Sequence, residues 1–113
     1  MIDLEKFIYS EAAKCEKLEC DGAARVLHYS LDKNAIPHYV FFGKVTFGSE
    51  TIPAHFWIVL ADGRIVDFKA KMWLGDNAPN GIFSPDETSA IYSGRVVELS
   101  VSDFMYSVLT EII

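Results

Sequence analysis

The sequence predicts an α+β domain: N-terminal helices packed on an antiparallel β-sheet of about four to five strands, then a C-terminal helix. Three observations carry this. Apolar residues recur at helical spacing from Leu4 to Leu31. Between His38 and Lys69 the chain turns to β-branched and aromatic residues broken by a hairpin signal. Helical spacing returns after Val101. At 113 residues, one domain covering 1–113 is expected.

In the first helix Leu4, Phe7, Ile8, Ala12, Cys15 and Leu18 form one stripe, with Asp3 as its cap. Asp21-Gly22 weakens helical continuity. Ala23, Ala24, Leu27 and Leu31 then resume the period, so Cys20 opens a second helix. Asn34 to Pro37 ends that helix, because the residue before proline is pushed out of helical space. Tyr39–Phe42 and Lys44–Phe47 read as strand, with Gly43 a bend or bulge. Gly48-Ser49-Glu50 is a turn, and His55–Leu60 and Arg64–Lys69 flank Ala61-Asp62-Gly63 as a hairpin. Residues 74–89, rich in Pro, Gly, Asn, Asp and Ser, read as a long irregular loop. Gly94–Leu99 is the last strand. Ser100 caps a final helix striped by Val101, Phe104, Met105, Val108, Leu109 and Ile112.

Composition narrows function. The net charge of −6 and the scattered basic residues argue against nucleic acid, whose phosphates need clustered Lys and Arg. No apolar run approaches a membrane span, and the start Met1-Ile2-Asp3-Leu4-Glu5-Lys6 lacks the basic-then-apolar layout of a secretory signal. A cytoplasmic location is expected, with Cys15 and Cys20 as thiols. Cys15, Cys20, His28, His38 and His55 match no compact metal-ligand spacing, and no glycine fingerprint for nucleotides is present, so no metal or cofactor is expected. The terminal stripe leaves a monomer or a weak homodimer open.

Hairpin geometry makes the functional test. Cys20, His55 and Asp67 supply a thiol, an imidazole and a carboxylate in the order that nucleophile, base and orienter would take. Side chains alternate along strands, so loop length decides whether His55 and Asp67 share a face. A two-residue Asp62-Gly63 loop pairs Ala61 with Arg64 and separates them. A three-residue loop with left-handed Gly63 pairs Leu60 with Arg64, sets Trp57 opposite Asp67 and His55 opposite Lys69, and makes His55 and Asp67 diagonal neighbours. Burial favours the latter. It collects Phe56, Ile58, Leu60, Val66 and Phe68 on one apolar face, leaving His55, Trp57, Val59, Ile65, Asp67 and Lys69 as a mixed face suited to a site beside a packed helix.

Glu19-Cys20-Asp21-Gly22-Ala23-Ala24, Ala54-His55-Phe56-Trp57-Ile58-Val59 and Gly63-Arg64-Ile65-Val66-Asp67 together resemble the papain-like superfamily of cysteine hydrolases, in its transglutaminase-like or small cell-wall-peptidase-like branches. The likeness spans 19–69. It implies that Cys20 is the nucleophile of a helix packed on the sheet, His55 its base and Asp67 the orienting group. It also implies a peptide, protein or small amide substrate. The chain has no glutamine and no tryptophan directly after the cysteine. Backbone amides at Cys20 and Asp21, or the Tyr9 hydroxyl, would then hold an oxyanion. Trp57 stands on the site face, and Trp73-Leu74-Gly75-Asp76-Asn77 offers a lid or substrate lip. A non-enzymatic binding module on the same scaffold is the rival expectation.

Overall fold

The computed structural model describes residues 3–111. Helix α1 (Leu4–Ala13) starts where Asp3 accepts the Lys6 amide at 3.2 Å, and α2 runs Cys20–Lys33. Strands follow as β1 (His38–Phe47), β2 (Glu50–Leu60) and β3 (Ile65–Asp67), then a short helix α3 (Lys71–Leu74), β4 (Gly81–Phe83), β5 (Ile91–Val97) and helix α4 (Asp103–Thr110). The five strands form one antiparallel sheet ordered β4-β3-β2-β1-β5. The α+β layout read from the sequence is therefore the observed one. No helix among the described residues is long and apolar enough to cross a membrane.

The hairpin takes the three-residue loop. Leu60 donates to the Arg64 carbonyl and Gly63 to the Leu60 carbonyl, both at 2.9 Å, while Gly63 sits at φ +90°. Ile58 pairs with Val66 and Val59 with Ile65, as that register demands. Ile58, Leu60 and Val66 then join Ile8, Leu27, Leu31 and Val40 in the core under α1 and α2, with Phe56 and Phe68 at its margin. Ile8, Leu31 and Ile58 are withdrawn almost wholly from water, each contributing about 2 kcal/mol. A partly exposed ion pair such as Arg64–Glu5 contributes about 1 kcal/mol at most. Apolar burial dominates the docking of the helices.

Several expectations are corrected. The helical stripe through Cys15 and Leu18 breaks at Lys14, although both side chains stay buried. Gly22 lies inside the first turn of α2, which opens at Cys20 as expected; a β-carbon there would come within 3.2 Å of Leu18. Residues 74–89 are not one irregular loop. Gly81–Phe83 adds the edge strand β4, and Pro85–Glu87 forms a 3-10 turn capped reciprocally by Ser84 and Glu87. With α3 and Ala90 this segment covers the second sheet face over Val45, Ile52, Trp57, Ile65 and Phe83. Turn-forming composition hid a strand only three residues long.

The last helix begins later than read. Ser102, not Ser100, caps it by accepting the Met105 amide at 3.0 Å. Its expected stripe is not buried: Phe104 is 77% exposed and Val108 47%. Of that stripe Leu109 makes the contact, joined by Tyr106, which the stripe did not include, against Cys15, Leu18, Ala23 and Val26. Ile112, the last member of that stripe, lies outside the described residues.

Gly43 and Gly94 face each other where β1 meets β5, beside a register shift between Gly43 and Val45. A β-carbon on Gly43 would come within 2.2 Å of the Ser93 carbonyl oxygen. One on Gly94 would meet the Phe42 carbonyl oxygen at 2.5 Å and the tip of Trp57 at 2.9 Å. The glycine pair lets β5 close over Trp57.

Candidate active site

His55 and Asp67 come together as the hairpin register requires. Both are buried, and the imidazole Nε2 donates to Asp67 Oδ2 at 2.8 Å. Asp67 ends β3, and its other oxygen turns the chain: Oδ1 accepts the amides of Lys69 at 2.9 Å and Ala70 at 3.1 Å. A fourth donor, the Tyr92 hydroxyl, reaches Oδ2 at 2.8 Å. A buried carboxylate is costly unless its lone pairs are occupied, and here they are.

Because that turn follows Asp67 at once, Lys69 does not pair with His55 across the hairpin. Its buried ammonium donates to the carbonyls of Cys15 at 2.8 Å and Glu16 at 3.4 Å, tying β3 to the link before α2. The helices also pack on the Phe56 face, opposite the mixed face expected to lie beside them. The site still forms because the β2–β3 ladder stops after Val66, and the start of α2 lies across the opening. Cys20, Asp67 and Lys69 share one crevice there with Phe56, Trp57 and Phe68.

Cys20 is the first residue of α2 and only partly exposed. With Nε2 committed to Asp67, the His55 Nδ1 atom is buried without a well-aligned hydrogen-bond partner. The Cys20 thiol lies near the same ring, close enough for each residue to act on the other's charge. Burial pushes the thiol up, but His55, the Phe56 amide and the imidazolium charge pull it down further; Asp21 opposes them. The net direction is below the ordinary cysteine value. For His55, burial favours the neutral ring, yet Asp67 and Cys20 lift it to about 9. The two shifts favour a thiolate–imidazolium pair. Cys15 behaves oppositely: burial raises its thiol to about 11.

The remaining candidates divide. Asp21 sits exposed beside Cys20 in the first turn of α2, where backbone amides lack intrahelical acceptors. Trp57 is buried and walls the site, its ring 6.3 Å from that of His55 and 5.0 Å from that of Tyr92. It is packing, not an open substrate contact. Tyr9 is not brought to the thiol. Its ring meets Phe68 edge-on at 5.2 Å, and it lines a separate hollow with Ala12, Ala13, Glu16 and Asn80. Trp73 lies on α3 and is 56% exposed.

Tyr92 and the two turn amides are the site groups that sequence reasoning missed. No local pattern distinguishes Tyr92 from an ordinary strand tyrosine, since its partner lies 25 residues away. The amides carried a weak signal, because Asp readily accepts from the backbone two or three residues ahead. Among the described residues, no group of three or more His, Cys, Asp or Glu side chains is placed to hold a metal ion. Comparison with protein-family models, curated proteins and solved structures finds no match to this chain.

Proposed function

We propose that the protein is a small papain-like cysteine hydrolase or acyl transferase acting on an amide or thioester carbonyl of a peptide, a protein or a small molecule. The observation that carries this reading is the buried His55 ring, fixed at Nε2 by Asp67 and left with Nδ1 unsatisfied, near enough to the Cys20 thiol for each to act on the other's charge. Cys20 sulfur adds to the carbonyl carbon as the π pair moves to oxygen, and the oxyanion is received by backbone amides at Cys20 and Asp21. Collapse of that adduct breaks the bond to the amine or thiol, which leaves with a proton from His55. Water, or a second amine, then attacks the acyl-enzyme with His55 taking its proton, and the thiol is released. Both cysteines are free, which suits a reducing, cytoplasmic setting.

Iodoacetamide tests this directly, with Cys15 as the internal control. At neutral pH, Cys20 alkylates faster than free cysteine, Cys15 stays unmodified in the folded chain, and His55→Ala removes the enhancement. Cys20→Ser folds normally but forms no acyl adduct with a panel of thioesters. A Cys20 no faster than free cysteine would sink the reading.

One observation favours a second reading, a non-enzymatic binding module. The crevice at Cys20 encloses only about 10 Å³, room for about one water. A pure binder keeps its partner and its effect in the Cys20→Ser variant, whereas a hydrolase loses turnover.

A further inference from the structure

Tyr92 enters the site from β5, which the sheet order separates from β3 by two intervening strands. Its ring is set between Trp57, 5.0 Å away edge-on, and Phe83, 5.9 Å away. A phenylalanine would satisfy that packing equally well. The hydroxyl does something a ring cannot: it donates to Asp67 Oδ2 at 2.8 Å, the same oxygen that receives His55 Nε2 at 2.8 Å.

We propose that Tyr92 is a positioning residue of the site, whose hydroxyl shares Asp67 Oδ2 with His55 and so sets how firmly the carboxylate holds the imidazolium. The proposal deepens the hydrolase reading, but the interaction it names does not depend on Cys20 being a nucleophile. Two donors on one carboxylate oxygen compete for its charge. With the hydroxyl present, the oxygen is a weaker acceptor for Nε2–H, and the proton on His55 is easier to release to a leaving group. Burial, then the charge of Asp67, raise the Tyr92 phenol well above its ordinary range. It therefore remains a donor throughout the working pH range. Cys20 faces His55 from α2, and exposed Asp21 beside it acts on the thiol. Lys69, the nearby cation, spends its hydrogen bonds on the Cys15 and Glu16 carbonyls.

The test is the titration of His55 in the full chain, followed by NMR of its ring and by the pH profile of Cys20 alkylation. Tyr92→Phe removes one donor without emptying space. It is expected to raise the His55 midpoint by about half a unit to one unit, carrying the upper inflection of the alkylation profile with it. Replacement of Tyr92 by 3-fluorotyrosine keeps the ring and strengthens the donor, and is expected to move the midpoint down. A role in packing alone predicts no movement with either. An unmoved midpoint, or a shift of the wrong sign in either folded variant, overturns the assignment whatever Cys20 does. An inert Cys20 in the parent chain, with both shifts intact, sinks the hydrolase reading and leaves Tyr92 as the group that tunes His55.

Discussion

Asp67 is held by four donors, and this makes it the residue on which the site's stability rests. Asp67→Ala leaves His55 buried with Nε2 unpaired and the Lys69 and Ala70 amides without their acceptor. Breaking a buried pair from one side costs about 3–5 kcal/mol. Urea unfolding should show a loss of that order, against about 1 kcal/mol or less for Cys20→Ser. The pH dependence has a definite sign. His55 is raised from 6.5 to about 9, so its contribution is full below 6.5 and fades as pH rises through about 9. The parent chain should lose stability between pH 7 and 10, and Asp67→Ala should show a flatter curve. His55 and Asp67 were legible in the sequence because hairpin register and burial pattern agree, and Cys20 because it opens α2. Tyr92 was not, because a contact bridging three strands leaves no trace in local spacing.

Among the elements, β5 is the one whose seat depends on missing atoms. Gly43 and Gly94 let its backbone approach β1, and Gly94 makes room for the Trp57 tip. Gly94→Ala places a methyl group within 2.5 Å of a backbone oxygen, which no rotamer relieves. Overpacking of this kind costs about 1–3 kcal/mol. The variant should unfold earlier in urea, with altered Trp57 fluorescence, and with Cys20 alkylation changed because Trp57 packs against both His55 and Tyr92. If Gly94→Ala matches the parent in all three measurements, β5 has more freedom than its contacts imply. Gly43 was readable as a bulge. Gly94 was read as the start of a strand that in fact begins at Ile91, because glycine at a close approach resembles glycine at a turn.

Across the whole molecule, the helices are joined by a polar knot that the sequence did not reveal. Buried Glu11 of α1 accepts from Ser30 of α2 and from Tyr106 of α4 at 2.7 Å, and pairs with Lys14 at 2.8 Å. Burial pushes its carboxyl up, but Lys14, Ser30 and Tyr106 outweigh that and hold it below the ordinary 4.5. A lowered carboxyl stabilises the fold above 4.5 and ceases to as pH falls through its depressed value. Acidification should therefore loosen α4 first, seen as faster amide exchange over 103–110. Glu11→Gln should show that faster exchange already at neutral pH, and less change with acid. Helix existence was legible from periodicity, but which face of α4 docks was not. Tyr106 is chosen by its hydroxyl as well as its ring, and its choice leaves Phe104 in water. The turn at 61–63 reaches furthest of all. Surface loops ordinarily tolerate gains and losses of residues through evolution. Here a one-residue slip of the pairing, with Ala61 rather than Leu60 opposite Arg64, would exchange the two sides of β3, sending a carboxylate into the oil beneath the helices and valine to the imidazole. Descendants of this chain are thus free to vary the letters of that loop, but what it must keep is Leu60 opposite Arg64.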